Sequence, residues 1–366
     1  MVITFPHLGD AHIAARLLFN EMGVRAIVPD MNTDKALERG SAISPVEMCL
    51  PFKIMAGNLA NAFDRGADTV VMPATAGPCR LGKYADLLHS VLTKAGMKFN
   101  WVVIESPPRI GVKEFINRLG KAVSGKKVSA YKAIFMLNAA AGLMRRLDRL
   151  RARAYELSGA ALAPRECLRI LKKCAEESGK AESMREAFKI ARKWEKELGQ
   201  IAIDKSKQPI KILVTGEIYT LIEPFANKNI DFKLMQMGVS FFKRVNVSWW
   251  IRHTLTEAVC KGPLKVFNRY NGKINKYLKH NIGGYAKQTV AEGATCKKDG
   301  YDGIIQVLPA GCMPEIVAKS ILTRIAAEQN INILNIVFDE MDGEAGLATR
   351  LEAFVDMLER RKRCTI

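Results

Sequence analysis

Residues 300–322, GYDGIIQVLPAGCMPEIVAKSIL, decide the fold class. Gly300 and Asp302 open the stretch with turn residues. Ile304, Ile305 and Val307 follow as a β-branched apolar run, the pattern of a buried strand. Pro309, Ala310 and Gly311 end that run in a short loop. Pro314 then falls at the first helical position, with Glu315 in the first turn. Cys312 is therefore expected in a strand-to-helix loop, at a helix N-terminus.

Residues 66–88, GADTVVMPATAGPCRLGKYADLL, repeat the pattern. Gly66, Ala67 and Asp68 correspond to Gly300, Tyr301 and Asp302. Val70 and Val71 correspond to Ile304 and Ile305, and Pro73-Ala74 to Pro309-Ala310. Both copies run through a glycine-containing loop to a cysteine and then a helix, which reads as an internal duplication of a βα unit. Cys49 has a similar setting: SPVEMCLP at 44–51 puts a proline just after the cysteine and before a helical pattern over 52–63. A helix N-terminus carries roughly +0.5 of a charge from its unpaired N–H groups. That field favours a thiolate or the sulfides of an anionic cluster. The plainer alternative is three buried structural thiols, since cysteine without a disulfide is among the most buried residue types. Three cysteines in matching positions, two of them duplicated, weigh towards a shared ligand.

The chain has 366 residues, enough for two or three domains, with 48% hydrophobic and 25% charged residues, the profile of a soluble globular protein. Met1 is followed at once by a strand pattern, so no secretory leader is expected, and no apolar run reaches the roughly 18 residues of a membrane span. Eight cysteines without a secretory signal point to a reducing, cytoplasmic setting. The net charge of +19 admits nucleic acid, small anionic substrates or an acidic protein partner. No zinc finger or RNA-binding motif accompanies the charge, which disfavours nucleic acid. A generally basic surface is the bland reading.

The spacing predicts a strand over 2–6, a turn at Gly9-Asp10, a helix over 11–22 and a strand over 24–28, a βαβ start that implies a parallel sheet. The single glycine at that turn falls short of a dinucleotide fingerprint. A short helix over 34–39, the Cys49 and Cys79 segments, a strand over 99–105 and a helix over 112–123 complete a first α/β domain, 1–125. Strand signals vanish over 126–205, where helices are expected over 131–157, from Pro164 to about 178, and over 181–198. Cys167 and Cys174 share one face there and read as core or surface thiols. Arg and Lys in this helical insert read as a solvated face, or as a partner-docking surface. From 206 to 366 the strand–glycine–helix theme returns, with a strand over 210–214, a helix over 219–227, helices within 254–277, the Cys312 unit, a last strand over 332–339 and a closing helix over 346–361. The fold class is thus α/β, two Rossmann-like parallel-sheet domains with an all-helical insert between them. Asp339, Glu340, Asp342 and Glu344 gather at the carboxyl end of the last strand, the edge where open α/β sheets bind ligands. Glu217 and Glu344 are candidate acid/base groups.

These segments resemble the 2-hydroxyacyl-CoA dehydratase superfamily, in particular the branch of acyl-CoA dehydratase activase-related proteins, whose relatives include the double-cubane cluster proteins. The resemblance is carried by FPHLGDAHIA near Phe5, SPVEMCLPFKIMAGN around Cys49, GADTVVMPATAGPCRLGKYA around Cys79, GGYAKQTVAEGA near Gly283, CMPEIVAKSIL from Cys312 and DEMDGEAGLATRLEAFVDML from Asp339. The helical insert carries little of it. The resemblance implies an iron–sulfur protein with the cluster held by Cys49, Cys79 and Cys312. It further implies a separate ATP-hydrolysing activator of the actin/sugar-kinase type that injects one electron at low potential. Three ligands to a 4Fe-4S cluster leave one iron open. A double-cubane 8Fe-9S cluster needs more thiolates. Cys260 and Cys296 are the extra candidates, and neither has the loop-before-helix setting, so a single cubane is preferred. The expected assembly is a homodimer or a heterodimer with a related subunit, and the expected substrate is small, with an anionic one such as a coenzyme A ester admitted by the charge. The alternative function is a non-catalytic cluster-carrying or activator-docking subunit. A metal-free ligand-binding α/β protein is a third reading, and iron content separates it from the other two.

Overall fold

The computed structural model describes residues 1–74, 79–105, 110–123, 130–259, 274–341 and 343–364. The chain divides into two compact units. The first holds Met1–Arg145, Ala181–Ala187 and a stretch that opens at Val247; the second holds Arg146–Lys180, Phe188–Asn246 and the C-terminal part.

In the first unit β1 (Val2–Thr4), β2 (Arg25–Ala26), β3 (Thr69–Pro73) and β4 (Asn100–Ile104) form a parallel sheet in the order β2-β1-β3-β4. Helices α1 (Ala11–Glu21), α2 (Asp34–Ile43), α3 (Leu50–Asp64), α4 (Tyr84–Lys94) and α5 (Val112–Ala122) alternate with the strands. β2 is shorter than the 24–28 strand expected from sequence. Helices α6 (Ala130–Leu157), α7 (Pro164–Lys180) and α8 (Met184–Leu198) follow in the chain, α7 lying wholly in the second unit, and no strand lies among the described residues between Ile104 and Lys211. Cys167 and Cys174 are both buried on α7, and burial pushes the Cys167 thiol up to about 11.

In the second unit β5 (Lys211–Gly216), β6 (Ser240–Phe242), β7 (Gly303–Pro309) and β8 (Asn332–Phe338) repeat the order as β6-β5-β7-β8, again all parallel. β7 pairs Ile212 with Gly303 through Gly216 with Val307 on one side, and Gly303 with Asn332 through Pro309 with Phe338 on the other. Every residue of β7 is buried, as expected of a central parallel strand covered on both faces. The remaining elements are α9 (Ile218–Ile222), α10 (Ile230–Gln236), α11 (Val247–Val259), α12 (Ala286–Thr295), α13 (Met313–Gln329) and α14 (Glu344–Arg363). Of these, α11 belongs to the first unit.

Two expectations are corrected. The helix expected over 219–227 stops at Ile222, because Glu223 precedes Pro224 and takes an extended conformation, φ −87° and ψ 112°. The Val247 segment, expected to precede a helix from Thr254, is itself the first turns of α11.

Close packing sets where the cysteine segments begin. A Cβ on Gly57 would lie 1.7 Å from the Ala36 carbonyl oxygen, and one on Gly40 would lie 1.8 Å from that of Lys53. The backbones of α2 and α3 therefore touch, and the loop between them, ending at Cys49, is held short. In the second unit Leu278, Val290, Leu322 and Ile325 pack α12 against α13, and each fully buried side chain contributes about 1.5–3 kcal/mol.

Candidate functional site

In the first unit Cys49 is the N-cap of α3, with φ −68° and ψ 153°, and Pro51 follows in the first turn. Cys79 is the N-cap of a short 3₁₀ turn, Arg80–Lys83, that runs directly into α4. Both thiols are half-buried. The two segments are stitched together. Tyr84 Oη lies 2.6 Å from Cys49 Sγ, Lys53 Nζ donates to the Val46 carbonyl at 3.1 Å, and Arg80 donates to the Glu47 carbonyl. Tyr84 is buried and meets Phe52 edge-on, with ring centroids 5.2 Å apart.

In the second unit Cys312 is the N-cap of α13, 8% exposed, with Pro314 in the first turn. Gly311 supplies the left-handed turn before it, at φ +76°. Gly284 also turns left-handed, and a Cβ there would meet Pro314 at 3.4 Å, so the GGYA loop closes on the start of α13. The three cysteines thus share one local setting. Each is itself in extended backbone and each opens a helical segment whose first N–H groups have no partner within the helix.

Glu217 sits at the carboxyl end of β5, where the chain departs from the sheet between β5 and β7. Its carboxylate caps α9, accepting from the backbone N–H groups of Tyr219 and Thr220 and from the Thr220 hydroxyl, at 2.8–3.0 Å. Burial pushes its carboxyl up while those hydrogen bonds pull it down. Glu344 opens α14 and is exposed, with Lys233 Nζ 3.5 Å away.

Sequence reasoning missed two buried carboxyls of the second unit, one of them near Glu217. Glu315, in the first turn of α13, is 1% exposed; Gln306 Nε2 donates to it at 2.9 Å and the Thr289 hydroxyl at 3.1 Å. Burial pushes it up to about 7, the hydrogen bonds oppose this, and the charges of Glu217 and Glu292 add to it. Glu292 on α12 is 3% exposed, with Arg244 Nε 3.2 Å from its Oε1. Burial pushes it too up to about 7, against the pull of Arg244. Glu315 was legible only as a helix-start acid, and Glu292 is one glutamate within GGYAKQTVAEGA. Their burial depends on how α12 and α13 pack.

Cys296, a candidate extra ligand, does not join Cys312. It is fully buried with Leu213, Ile304 and Ile331, its Sγ 4.0 Å from the Gly303 carbonyl, at the amino end of β7. Seven strand residues at about 3.3 Å each put roughly 20 Å between the two ends of β7. Burial also raises the Cys296 thiol far above its usual value. Cys260 and Asp342 lie outside the described residues. Asp339 accepts from the Glu340 backbone N–H in the turn after β8. Within neither unit do three described His, Cys, Asp or Glu side chains converge as a metal-binding group.

These features define a two-unit parallel α/β protein with a cysteine opening a helical segment after the central strand of each sheet. Comparison with protein families matches 2-hydroxyglutaryl-CoA dehydratase, D-component, over residues 109–358. That is more than half of the chain, and the chain belongs to this family, within the 2-hydroxyacyl-CoA dehydratase superfamily. Comparison with curated proteins gives no match. The matched region contains Cys312, Glu217, Glu344 and the three helices α6–α8, so the family likeness extends across the helical stretch that sequence reading had set aside. Cys49 and Cys79 precede it. No described helix is long and apolar enough to cross a membrane.

Proposed function

We propose that this chain is an iron–sulfur component of the 2-hydroxyacyl-CoA dehydratase type, which accepts low-potential electrons from a separate ATP-hydrolysing activator and reduces or dehydrates a small substrate. The observation that carries the reading is the repeated βα unit that ends, in both sheets, at an N-cap cysteine. The donor set fits an iron–sulfur cluster in kind: thiolates are its usual ligands, and Cys49, Cys79 and Cys312 each sit where a helical start favours negative sulfur. Cys49 and Cys79 of the first unit and Cys312 of the second would hold the cluster, a single 4Fe-4S cubane in preference to an 8Fe-9S double cubane. When bound, such a cluster supplies one-electron chemistry and an open iron position for substrate.

The chain's own residues do the rest. The α3 and α13 N-termini offer backbone N–H groups to sulfur. Glu217 and Glu344 are the acid/base candidates, and Glu315, near Glu217, and Glu292 can each retain a proton near neutrality. The net charge of +19 suits an anionic substrate such as a coenzyme A ester and an acidic face on the activator, which would be of the actin/sugar-kinase type. The helical stretch 126–205 between the α/β domains 1–125 and 206–366 is the proposed docking element. Pairing with a second copy or a related subunit, in the cytoplasm, completes the proposal.

The test is iron and acid-labile sulfide per chain after anaerobic purification, with Cys312→Ala alongside. About four irons, lost in the variant, support the single cubane, and about eight support the larger cluster. No iron after reconstitution overturns the reading. Turnover with the activator and an acceptor separates this function from a non-catalytic cluster carrier.

A further inference from the structure

We infer that Tyr84 is a positioning residue for the Cys49 sulfur: its hydroxyl donates a hydrogen bond that holds the sulfur at the start of α3 and stabilises negative charge on it. The inference rests on the proposed function in treating Cys49 as a cluster ligand, and its first test does not need the cluster.

The geometry is specific. Tyr84 Oη lies 2.6 Å from Cys49 Sγ. A thiolate has no proton to give, so once the cysteine ionises or ligates a metal the phenol is the donor in this pair. The ring has little freedom to point elsewhere. Tyr84 is 3% exposed and packs edge-on against Phe52, itself fully buried and three residues after Cys49 on the same helix. The sulfur and the ring that serves it are therefore fixed to one another through α3.

The surrounding contacts act in the same direction. Tyr84 opens α4, immediately after the 3₁₀ turn capped by Cys79. Arg80, next to Cys79, donates to the Glu47 carbonyl, and Lys53, one turn into α3, donates to the Val46 carbonyl. Two cations and one phenol, two of the three from the Cys79 segment, thus grip the loop that delivers Cys49. A hydrogen bond to a ligand sulfur raises the potential at which a cluster accepts an electron, because the reduced form is the more negative one.

Tyr84→Phe tests this with the ring volume kept. In the iron-free protein the hydroxyl holds the Cys49 sulfur in place and stabilises negative charge on it, and the charged sulfur is the form that attacks an alkylating agent. The variant lacks that donor and leaves the sulfur without the contact that fixes and stabilises it. Iodoacetamide should therefore modify Cys49 several-fold more slowly in the variant at neutral pH, while Cys79 in the same molecule, followed by mass spectrometry, keeps its rate. Equal Cys49 rates in the two proteins overturn the inference whether or not the chain binds iron. In the iron-loaded protein the expected signature is an unchanged iron content, a midpoint potential shifted to more negative values, and the loss of one exchangeable proton coupled to the reduced cluster in double-resonance spectra recorded in light and heavy water. Retention of that proton in the variant overturns the inference. A wild-type protein that binds no iron sinks the cluster reading and leaves the alkylation result to decide Tyr84 alone.

Discussion

Glu292 and Glu315 are buried in the second unit, with Glu217 near Glu315 and Arg244 beside Glu292. In the unfolded chain each titrates near the ordinary 4.5; in the folded protein each titrates near 7. Between those values the folded state holds protons that the unfolded state has released. Raising the pH through that window therefore opposes folding, by about 1.4 kcal/mol per pH unit for each proton that differs. Urea unfolding followed from mildly acidic to neutral pH should show stability falling, and Glu292→Gln should flatten its share of the fall. A stability that rises with pH in the wild type, with the same slope in the variant, would contradict the assignment. Glu217 was legible as a residue at the end of a strand. Its partners were not, because nothing in the local pattern of QTVAEGA or CMPEIV tells a buried acid from a solvated one.

The pairing of α2 and α3 depends on two glycines. An alanine at Gly57 would bring its Cβ to 1.7 Å from a backbone oxygen, which no side-chain motion relieves. Gly57→Ala is expected to cost roughly 1–3 kcal/mol or more and to displace the Cys49 loop. A drop in melting temperature together with reduced iron retention would show both effects; an unchanged melting temperature would refute the close approach. At this scale much of the architecture was legible. β7 announces itself through Ile304, Ile305 and Val307, and the helix after Cys312 through Pro314 and Glu315. What escaped was conditional on chain chemistry that periodicity does not weigh. Pro224 ended a helix whose apolar spacing ran on, and β2 shrank to two residues at the rim of its sheet. The placement of Cys49 and Cys312 at helix starts was readable from proline spacing, and that of Cys79 from the repeated unit. The phenol aimed at Cys49 was not, since Tyr84 reads as an ordinary helix-start aromatic 35 residues away.

For the whole molecule, 56 basic residues face 37 acidic ones, and the excess opposes the compact state by self-repulsion. Moderate sodium chloride should raise the melting temperature at neutral pH by screening that repulsion; a fall would mean that attractive ion pairs such as Lys243–Asp231 and Lys362–Asp302 outweigh it. The same screening should slow association with an acidic activator, which stopped-flow mixing at two salt concentrations would measure. The two sheets share one strand order, yet the units are not two consecutive lengths of chain. The first unit also takes Ala181–Ala187 and the helix that opens at Val247. A ribosome must therefore translate well into the second unit's sequence, through β5 and β6, before the last piece of the first unit has been synthesised. The nascent chain spends that interval with an α/β layer still incomplete, and the protein's yield in a cell is tied to how well that unfinished intermediate is shielded while synthesis catches up.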